Sequence, residues 1–332
     1  MSTLPTGPAI PSRIVVILNP SKRRADQALA LIRERCNAAG FPKPHVMRTT
    51  VAQPGGTQAR EAIASGADLV VVAGGDGTVR EVASVLSGTG IPMGVVPIGT
   101  ANLLSRNLGL RPQDLANNVR HAIQGHDRTI DIGRIWLETP DHPHAPYETV
   151  FLVVAGFGMD AAAISQTSEV LKRRLGWVAY FDSLVRRVFE VGEEIAITLD
   201  DGPEVHIELR TLMVGNCGLI PAGIRLIPDA ILDDGQLDVV IMTPATPIGW
   251  ILIAGKILLR HRYKIDDLHH RPATSVVARP THPLAVQLDG DVLDAVSCAT
   301  IRIEPGALRV RSTRRPPRQP KPRFSLPWQP AQ

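Results

Sequence analysis

The chain has 332 residues, of which 44% are hydrophobic and 20% are charged, a length and composition typical of two globular domains with buried cores. Aromatic residues make up only 4% of the chain, which argues against a nucleic-acid binder built on base stacking. The net charge is +4, and the three cysteines stand far apart, so neither a zinc site nor a disulfide framework is predicted.

The N-terminal residues 1–12 are polar and proline-rich, and we predict a disordered segment rather than a secretory signal. No segment reaches the roughly 18 uninterrupted apolar residues of a membrane span. The closest stretch, 248–259, is interrupted by Lys256. The protein is therefore expected to be cytoplasmic and to associate with a membrane only peripherally.

The first part of the chain alternates between strand-like and helix-like segments. We predict strands at 13–18, 45–50, 68–74 and 93–97, with helices at 25–39, 57–65 and from residue 79. This alternation predicts an α/β domain with a parallel sheet, in which ligands bind beyond the carboxyl ends of the strands. Polar or glycine-rich turns follow three of these ends, at Asn19, Gly74 and Gly99, and are expected to converge on one crevice.

The stretch 68–78, DLVVVAGGDGT, restricts the possible functions of the chain more than any other segment. Its glycines allow a ligand to approach the backbone, and the helix that follows presents free N–H groups suited to phosphate. Asp76 beside a phosphate requires a cation, so the pattern indicates a nucleotide with Mg²⁺. A structural glycine-rich turn is the alternative.

After about Arg134 the pattern changes to short strands separated by turns, with strands predicted near 135–136, 150–154, 195–199, 205–214, 237–242, 275–277, 284–288 and 299–303. The proline-rich segment 139–146 is predicted to be a loop, and two amphipathic stretches, 161–190 and 247–259, interrupt the strands. This pattern predicts an antiparallel β-sandwich or barrel.

We therefore predict a nucleotide-binding α/β domain at 13–134 and a β-sandwich domain at 135–311, and leave open whether the final strand returns to the first domain. Residues 312–332 form a basic, proline-rich tail, and seven basic residues lie between Arg309 and Arg323 without an acidic one.

The glycine turn is neither a Walker A loop nor a dinucleotide fingerprint, because no Gly-Lys-Ser/Thr follows and the glycine spacing differs. It resembles the GGDGT signature of diacylglycerol kinases, sphingosine kinases, NAD kinases and, more distantly, phosphofructokinases. Five further segments match the bacterial diacylglycerol-kinase-like lipid kinases in the same order: Asn19-Pro20-Ser21-Lys22, Gly99-Thr100-Ala101-Asn102, Gly156-Phe157-Gly158-Met159-Asp160, Pro228 to Gly235 with Leu237-Asp238, and Leu288-Asp289-Gly290-Asp291.

The resemblance extends over about residues 13–311. It implies an α/β domain like that of NAD kinases and phosphofructokinases, joined to an antiparallel β-sandwich, with ATP in the cleft between them. The implied activity is an ATP-dependent lipid kinase that phosphorylates a hydroxyl of diacylglycerol or a similar lipid, in phospholipid biosynthesis. An NAD kinase and a catalytically weakened nucleotide- or lipid-binding member of the family are the alternatives.

On the donor side, the resemblance implies that backbone N–H groups of one stretch hold the triphosphate: Gly74, Gly75, Asp76, Gly77, Thr78, Val79 and Arg80. The neighbouring strand ends would contribute Asn19, Pro20, Ser21, Lys22, Arg23, Thr50, Thr100 and Asn102. Lys22 and Arg23 can pair with phosphate, or remain solvated loop charges.

Two metal sites are implied. Asp76 and Asp131 would join a network of water and Mg²⁺ on the phosphates, although Leu103 stands where many members have another aspartate of that network. A second Mg²⁺ would shape a loop through the side chain of Asp234 and the carbonyl oxygens of Ile231 and Gln236. An Asp-Gly turn without metal is the alternative there.

The resemblance implies that Asp289 is the general base, assisted by Asp291 where the family has glutamate. Asp289 follows a predicted strand and precedes a glycine, so we expect its carboxylate to be exposed at a turn; a plain hairpin turn is the alternative. The two amphipathic stretches are expected to face a lipid substrate at a membrane surface, or simply to cover a sheet. No nucleic-acid partner is expected, and a homodimer is left open.

Overall fold

The computed structural model describes residues 11–158, 192–219, 227, 230–243 and 268–313. Both amphipathic stretches, most of the basic tail and Met159, Asp160, Pro228 and Asp229 lie outside the described residues. The elements in chain order are β1 (Ile14–Leu18), α1 (Ala25–Ala38), β2 (His45–Arg48), α2 (Gly56–Ala64), β3 (Leu69–Gly74), α3 (Asp76–Leu86), β4 (Met93–Pro97), α4 (Leu103–Asn107), α5 (Leu115–Gln124), β5 (His126–Thr139), β6 (His142–Phe151), β7 (Val154–Gly158), β8 (Glu193–Leu199), β9 (Val205–Leu209), β10 (Thr211–Gly215), β11 (Leu237–Met242), β12 (Leu268–Ala273), β13 (Ser275–Pro280), β14 (Leu284–Leu288), β15 (Asp291–Val296) and β16 (Cys298–Ser312).

The predicted α/β domain is confirmed by four parallel strands in the order β2-β1-β3-β4. Helices cover both faces of this sheet. In β1, Val15 and Ile17 pack in the core cluster that contains α2 and α3, whereas Ile14, Val16 and Leu18 pack with α1 and α5. Because successive strand residues face opposite sides, coverage of both faces explains why β1 is uniformly apolar.

The predicted β-sandwich is also confirmed. Within the described residues, one face is a six-stranded antiparallel sheet in the order β12-β11-β10-β7-β14-β15. The other face is formed by β5, β16, β13 and β8, which pair with one another antiparallel. Apolar side chains from both sheets meet in one core, among them Ile135, Phe157, Val214, Val276, Val286 and Ile301.

The two halves share a continuous sheet, because β16 returns to the first half of the chain. It pairs antiparallel with β5 over most of its length, and near its end Val310 lies opposite Met93 of the parallel strand β4. Strand β5 also runs through residue 134, where the domain boundary was predicted. The two halves are therefore joined by paired strands.

Two local predictions in the second half were wrong. Segment 139–146 is not a loop, because Thr139 pairs with His142 and the chain turns directly into β6. Among the described strands β6 pairs only with β5, and an edge strand tolerates prolines. The run 205–214 is not one strand either: β9 belongs to the sheet of β8 and β10 to the six-stranded sheet.

Replacing Gly94 with alanine is expected to lower the free energy of unfolding by about 2 kcal/mol or more, because a Cβ atom there would overlap the Ala122 carbonyl where α5 crosses β4. Urea unfolding measures the effect. Gly40→Ala is the matched control: Gly40 has φ +66° with open space around it, so backbone strain of about 1 kcal/mol is expected. Equal losses in the two variants would contradict the close approach of α5.

Candidate active site

The ends of β1 and β3 are joined by the Asn19 side chain. Its Nδ2 donates to Thr78 Oγ1 at 3.2 Å, while its Oδ1 accepts from the backbone N and the Oγ of Ser21. The turn that contains Pro20 is thereby fixed against the start of α3. The predicted convergence of these two strand ends is present in the structure.

The glycine turn packs directly against the turn that follows β4. A Cβ atom built on Gly99 would lie 2.5 Å from the Cα of Gly75, so the two turns can approach only without side chains. A Cβ atom on Gly75 would lie 3.6 Å from Cε of Lys22, which places the Lys22 ammonium beside the turn. Arg23 is exposed next to it. The Lys22 ammonium therefore places a positive charge beside the glycine turn.

The free N–H groups at the start of α3 are fewer than predicted. The helix begins at Asp76 with Gly75 as its N-cap, and the Val79 amide donates to the Gly75 carbonyl at 3.0 Å. Helix geometry commits the Arg80 amide in the same way to the Asp76 carbonyl. The prediction that Val79 and Arg80 present backbone N–H groups to phosphate is therefore wrong, and the donors that remain available lie between Gly75 and Thr78.

The other predicted donor-side residues shape turns. The backbone N of Thr50 donates to the Gln53 carbonyl, and its Oγ1 accepts from the Gln53 amide. Asn102, at φ 50°, uses its side-chain amide to bond both the N–H and the carbonyl of Gly99. Thr100 is exposed between them. Asn102 is thus occupied in closing the turn.

Asp76 lies at the meeting point of the two glycine turns. Its carboxylate accepts the backbone N–H groups of Asn102 at 2.9 Å and Leu103 at 2.5 Å. The residue retains some exposed surface, but its carboxylate is enclosed, and this burial is the main cause that raises its pKa to about 6. The two N–H groups oppose that rise, and the negative charges of Asp289 and Asp291 add to it.

Leu103 replaces a carboxylate without removing the backbone contact. Its amide still donates to Asp76, while its side chain is buried in the core that includes α3 and β4. With leucine at this position, the backbone amides of Asn102 and Leu103 orient Asp76.

Asp131 contacts the loop that contains the second predicted metal site. Its two carboxylate oxygens accept the amides of Gly235 and Gly306, each at 2.7 Å, and its own N–H donates to the Leu232 carbonyl. None of the described hydrogen bonds joins it directly to Asp76, and the network of water and Mg²⁺ implied for the two residues stays a prediction. Asp131 holds the 232–235 loop in place.

The loop that contains Asp234 is rich in oxygen atoms. Asp234 Oδ1 accepts the Gln236 amide at 3.1 Å, and Gly235 has φ 74°, while Asp233 pairs with Arg128 at 3.2 Å. The described residues contain no group of three His, Cys, Asp or Glu side chains arranged for a metal. A cation here would depend on backbone carbonyls such as that of Ile231 together with Asp234, a hard-oxygen set that fits Mg²⁺.

Asp289 stands at the tip of the β14–β15 hairpin. Leu288 lies opposite Asp291, and the two residues between them, Asp289 and Gly290, have φ 52° and 92°. Positive φ at both central positions is the pattern of a type I′ turn. The hairpin alternative is thus correct, and the role of Asp289 as general base stays a prediction.

The carboxylate of Asp289 is buried, so the expectation of an exposed carboxylate was wrong. The residue is 4% exposed, because the segment between β6 and β7 folds over the turn and donates the amides of Leu152, Val153 and Val154. Burial raises the pKa of Asp289, whereas the Arg80 guanidinium and these three amides lower it. The net effect is a raised pKa, so the enclosed carboxyl group takes up a proton more readily than an exposed aspartate does.

Arg80 links the glycine turn to this hairpin, a role that no sequence signal indicated. It is 7% exposed, donates from Nη1 to the Leu288 carbonyl and forms an ion pair between Nη2 and Asp291 Oδ2 at 3.1 Å. A Cβ atom on Gly77 would lie 2.8 Å from the same Asp291 oxygen. The start of α3 and the hairpin of Asp289 therefore form one site.

Comparisons with known proteins agree with this arrangement. The diacylglycerol kinase catalytic domain family matches residues 13–135, and the YegS C-terminal NAD kinase beta sandwich-like domain family matches residues 153–312. A Pseudomonas fluorescens protein named "Probable lipid kinase YegS-like" is 32% identical over 257 residues, covering 76% of this chain and 79% of that protein. A diacylglycerol kinase from Bacillus subtilis is 26% identical over 283 residues, covering 84% and 89%.

Solved structures share the fold. A diacylglycerol kinase from Bacillus anthracis superposes with a TM-score of 0.68 at 24% identity and covers 92% of this chain and 99% of that chain. Yeast NADH kinase complexed with NADH superposes with a TM-score of 0.53 at 12% identity, covering 93% and 87%. The α/β domain and the β-sandwich are thus common to both kinds of kinase.

Proposed function

The chain belongs to the diacylglycerol kinase catalytic domain family of lipid kinases, and we propose that it transfers the γ-phosphoryl group of ATP to a hydroxyl of diacylglycerol or a similar lipid. The observation that supports this most is the joining of the glycine turn and the Asp289 hairpin through Arg80 and Asp291. Phosphoryl transfer needs a bound donor and an oriented hydroxyl in one cleft.

The donor would bind at the start of α3. The amides between Gly75 and Thr78 and the Lys22 ammonium suit a triphosphate, since anions are stabilised at helix N-termini. Negative charge is also concentrated at the start of α3, where Asp76 interacts electrostatically with Asp289 and Asp291. A Mg²⁺ ion fits this excess of carboxylate, and when bound it supplies neutralisation of the phosphate charge.

Asp289 would accept the proton of the attacking lipid hydroxyl. A bond then forms between the lipid oxygen and the γ-phosphorus, while the bond from that phosphorus to the bridging oxygen of ADP breaks. The amides of Leu152, Val153 and Val154 keep the carboxylate oriented throughout. Asp291, whose side chain is 51% exposed, lies on the open side of the turn, where it can help to orient the hydroxyl.

The acceptor would reach the cleft from a membrane surface. Within the described residues no helix has the length and hydropathy needed to cross a bilayer. The amphipathic stretches 161–190 and 247–259, together with the basic residues after Arg309, are the segments that we propose contact anionic lipid.

Transfer of ³²P from γ-labelled ATP tests the proposal. The purified protein is incubated with Mg²⁺ and a total bacterial lipid extract, and the labelled products are separated by chromatography and identified. We expect label in a phosphorylated lipid, with diacylglycerol as the first purified acceptor to test. A parallel reaction contains NAD in place of lipid; labelled NADP without labelled lipid would replace the proposal by an NAD kinase, and no label in either would contradict both.

Magnesium is also expected to stabilise the chain without nucleotide, through the Asp234 loop. A ligand that binds only the folded state at about 100 times its dissociation constant adds about 2.7 kcal/mol, so the Tm is expected to rise by several degrees. Differential scanning fluorimetry with MgCl₂ against EDTA measures the shift. Asp234→Asn is expected to lose it, while Asp141→Asn, at an exposed carboxylate, is expected to keep it. A shift that persists in Asp234→Asn would place the ion elsewhere.

A further inference from the structure

Arg80 contacts both sides of the turn that holds Asp289. One nitrogen of its guanidinium donates to the Leu288 carbonyl, directly before Asp289, and the other pairs with Asp291, two residues after it. Arg80 itself lies on α3, one helical turn beyond Asp76. A single side chain thus spans from the proposed donor-binding helix to the proposed base.

We propose that Arg80 is a positioning residue for phosphoryl transfer, which fixes the Asp289 turn at a set distance from the start of α3. This inference rests on the proposed function and deepens it. The Leu152–Val154 amides hold the Asp289 carboxylate from the sandwich side, and Arg80 holds the backbone of the same turn from the α/β side. The two sets of contacts together fix the base relative to the donor.

The local packing is built around this bridge. Arg80 is 7% exposed, and Gly77 leaves the space that Asp291 occupies, since a Cβ atom there would lie 2.8 Å from Asp291 Oδ2. Arg80 Nε is buried and has no hydrogen-bond partner among the described residues. A buried donor without an acceptor costs stability, and such costs are typical of functional sites rather than of surface ion pairs.

The charges around Asp289 favour the same conclusion. Asp76 interacts electrostatically with Asp289 and with Asp291, and Arg80 is the cation that lowers the pKa of Asp289. The thiol of Cys217, whose pKa is raised mainly by burial, also lies within reach of the Asp289 charge. Without the guanidinium, three carboxylates would repel one another across the cleft. The hairpin would then be expected to move away from α3.

An arginine suits this bridge better than a lysine. The planar guanidinium can donate to the Leu288 carbonyl and to Asp291 at once, whereas an ammonium on a flexible chain is a point charge without that paired geometry. A lysine at position 80 is therefore expected to retain the charge but to lose one of the two contacts.

Arg80→Met and Arg80→Lys test the inference against Arg120→Met, a matched change at an exposed arginine of α5. With wild type shown to transfer phosphate, we expect kcat to fall about 100-fold in Arg80→Met, because a misplacement of about 1 Å has that effect. The KM for ATP is expected to stay within about threefold, since the guanidinium is occupied by protein groups, and Arg80→Lys is expected to be intermediate.

Three further readouts separate positioning from other roles. The acidic limb of the kcat–pH profile is expected to move to higher pH in Arg80→Met, because Arg80 lowers the pKa of Asp289. Hydrogen exchange of amides 288–291 is expected to rise in Arg80→Met but not in Arg120→Met, whether or not a substrate is known. If Arg80→Met raises the KM for ATP and leaves kcat unchanged, Arg80 would instead be a ligand of the phosphate groups.

The outcomes distinguish this inference from the proposed function. An inactive wild-type enzyme contradicts the proposed function, whereas an active wild type with Arg80 variants equal to Arg120→Met contradicts the positioning role. If Arg80→Met fails to fold, the kcat of Arg80→Lys and its hydrogen exchange at amides 288–291 test the inference instead. Values equal to those of wild type would overturn it.

Discussion

Asparagine in place of Asp289 is expected to lower kcat about 10³-fold while the affinity for ATP stays within about threefold of wild type. A general base commonly contributes 10²- to 10⁴-fold to a reaction rate, and asparagine cannot accept the hydroxyl proton. ATP binding should persist because the predicted donor contacts lie at the start of α3, on a different element. Steady-state kinetics with the identified lipid and isothermal titration with ATP measure the two effects.

Stability has to be followed in the same experiment. The carboxylate of Asp289 accepts three amides, and an asparagine oxygen can replace only part of this, so the variant is expected to lose about 1–3 kcal/mol of folding free energy. Measurements well below its Tm therefore separate catalysis from unfolding. Asp141→Asn, at an exposed carboxylate of the β5–β6 turn, controls for the change in charge. A folded Asp289→Asn enzyme with wild-type kcat would exclude Asp289 as the base.

Sequence patterns predicted those parts of this site whose backbone conformation is set by residues adjacent in sequence. The apolar run before Gly74 predicted β3, and the glycines predicted a turn before α3. At LDGD a hairpin was the alternative, and it is correct because Asp-Gly accommodates positive φ at two successive positions. In each case the backbone conformation is set by residues that are neighbours in sequence. The same patterns do not determine what lies against the turn.

The burial of Asp289 and the role of Arg80 depend on contacts between distant residues. Arg80 meets Leu288 across 208 positions of sequence, and Asp289 meets the amides of 152–154 across 135 to 137. An aspartate before a glycine is usually in an exposed turn. Asp289 is buried because the chain between β6 and β7 passes over its turn. No local pattern indicated that Arg80 would contact this hairpin.

The sheet that joins the two halves was likewise beyond local prediction. Residues 299–303 were predicted as a short strand, yet β16 extends from Cys298 to Ser312 because it finds partners over most of its length, β5 and finally β4. Pairing rather than propensity sets the length of a strand in such a case.

Three carboxylates lie near Arg80. Asp76 interacts electrostatically with both Asp289 and Asp291, while Arg80 pairs with Asp291 and lowers the pKa of Asp289. Such a cluster is unfavourable without a cation, so the cleft is expected to prefer a donor that arrives with one.

Asp76→Asn is expected to change stability in a pH-dependent way and to impair use of ATP. The pKa of Asp76 is raised to about 6 in the fold from an ordinary value of 3.8, mainly by burial. A raised pKa adds stability that is complete below about pH 3.8 and is lost as pH rises through 6. The wild type should therefore lose about 3 kcal/mol relative to Asp76→Asn over this range, and the difference should level off above it.

Urea unfolding between pH 4 and 8, in EDTA and without nucleotide, measures this difference, because any cost of the lost amide contacts in Asp76→Asn is independent of pH. Asp68→Asn is the matched control: burial raises the pKa of Asp68, but hydrogen bonds from Ser12 and Arg13 outweigh it, so the net pKa is lowered. The stability from Asp68 is then lost only below about pH 3.8, and the difference between Asp68→Asn and wild type is expected to stay constant between pH 4 and 8. A difference between wild type and Asp76→Asn that does not vary with pH would show that Asp76 is not enclosed. With ATP and Mg²⁺ bound, wild type is expected to become more stable than Asp76→Asn. The kcat/KM for ATP in Asp76→Asn should also fall about 100-fold, because a carboxylate that orients a metal site commonly contributes that much.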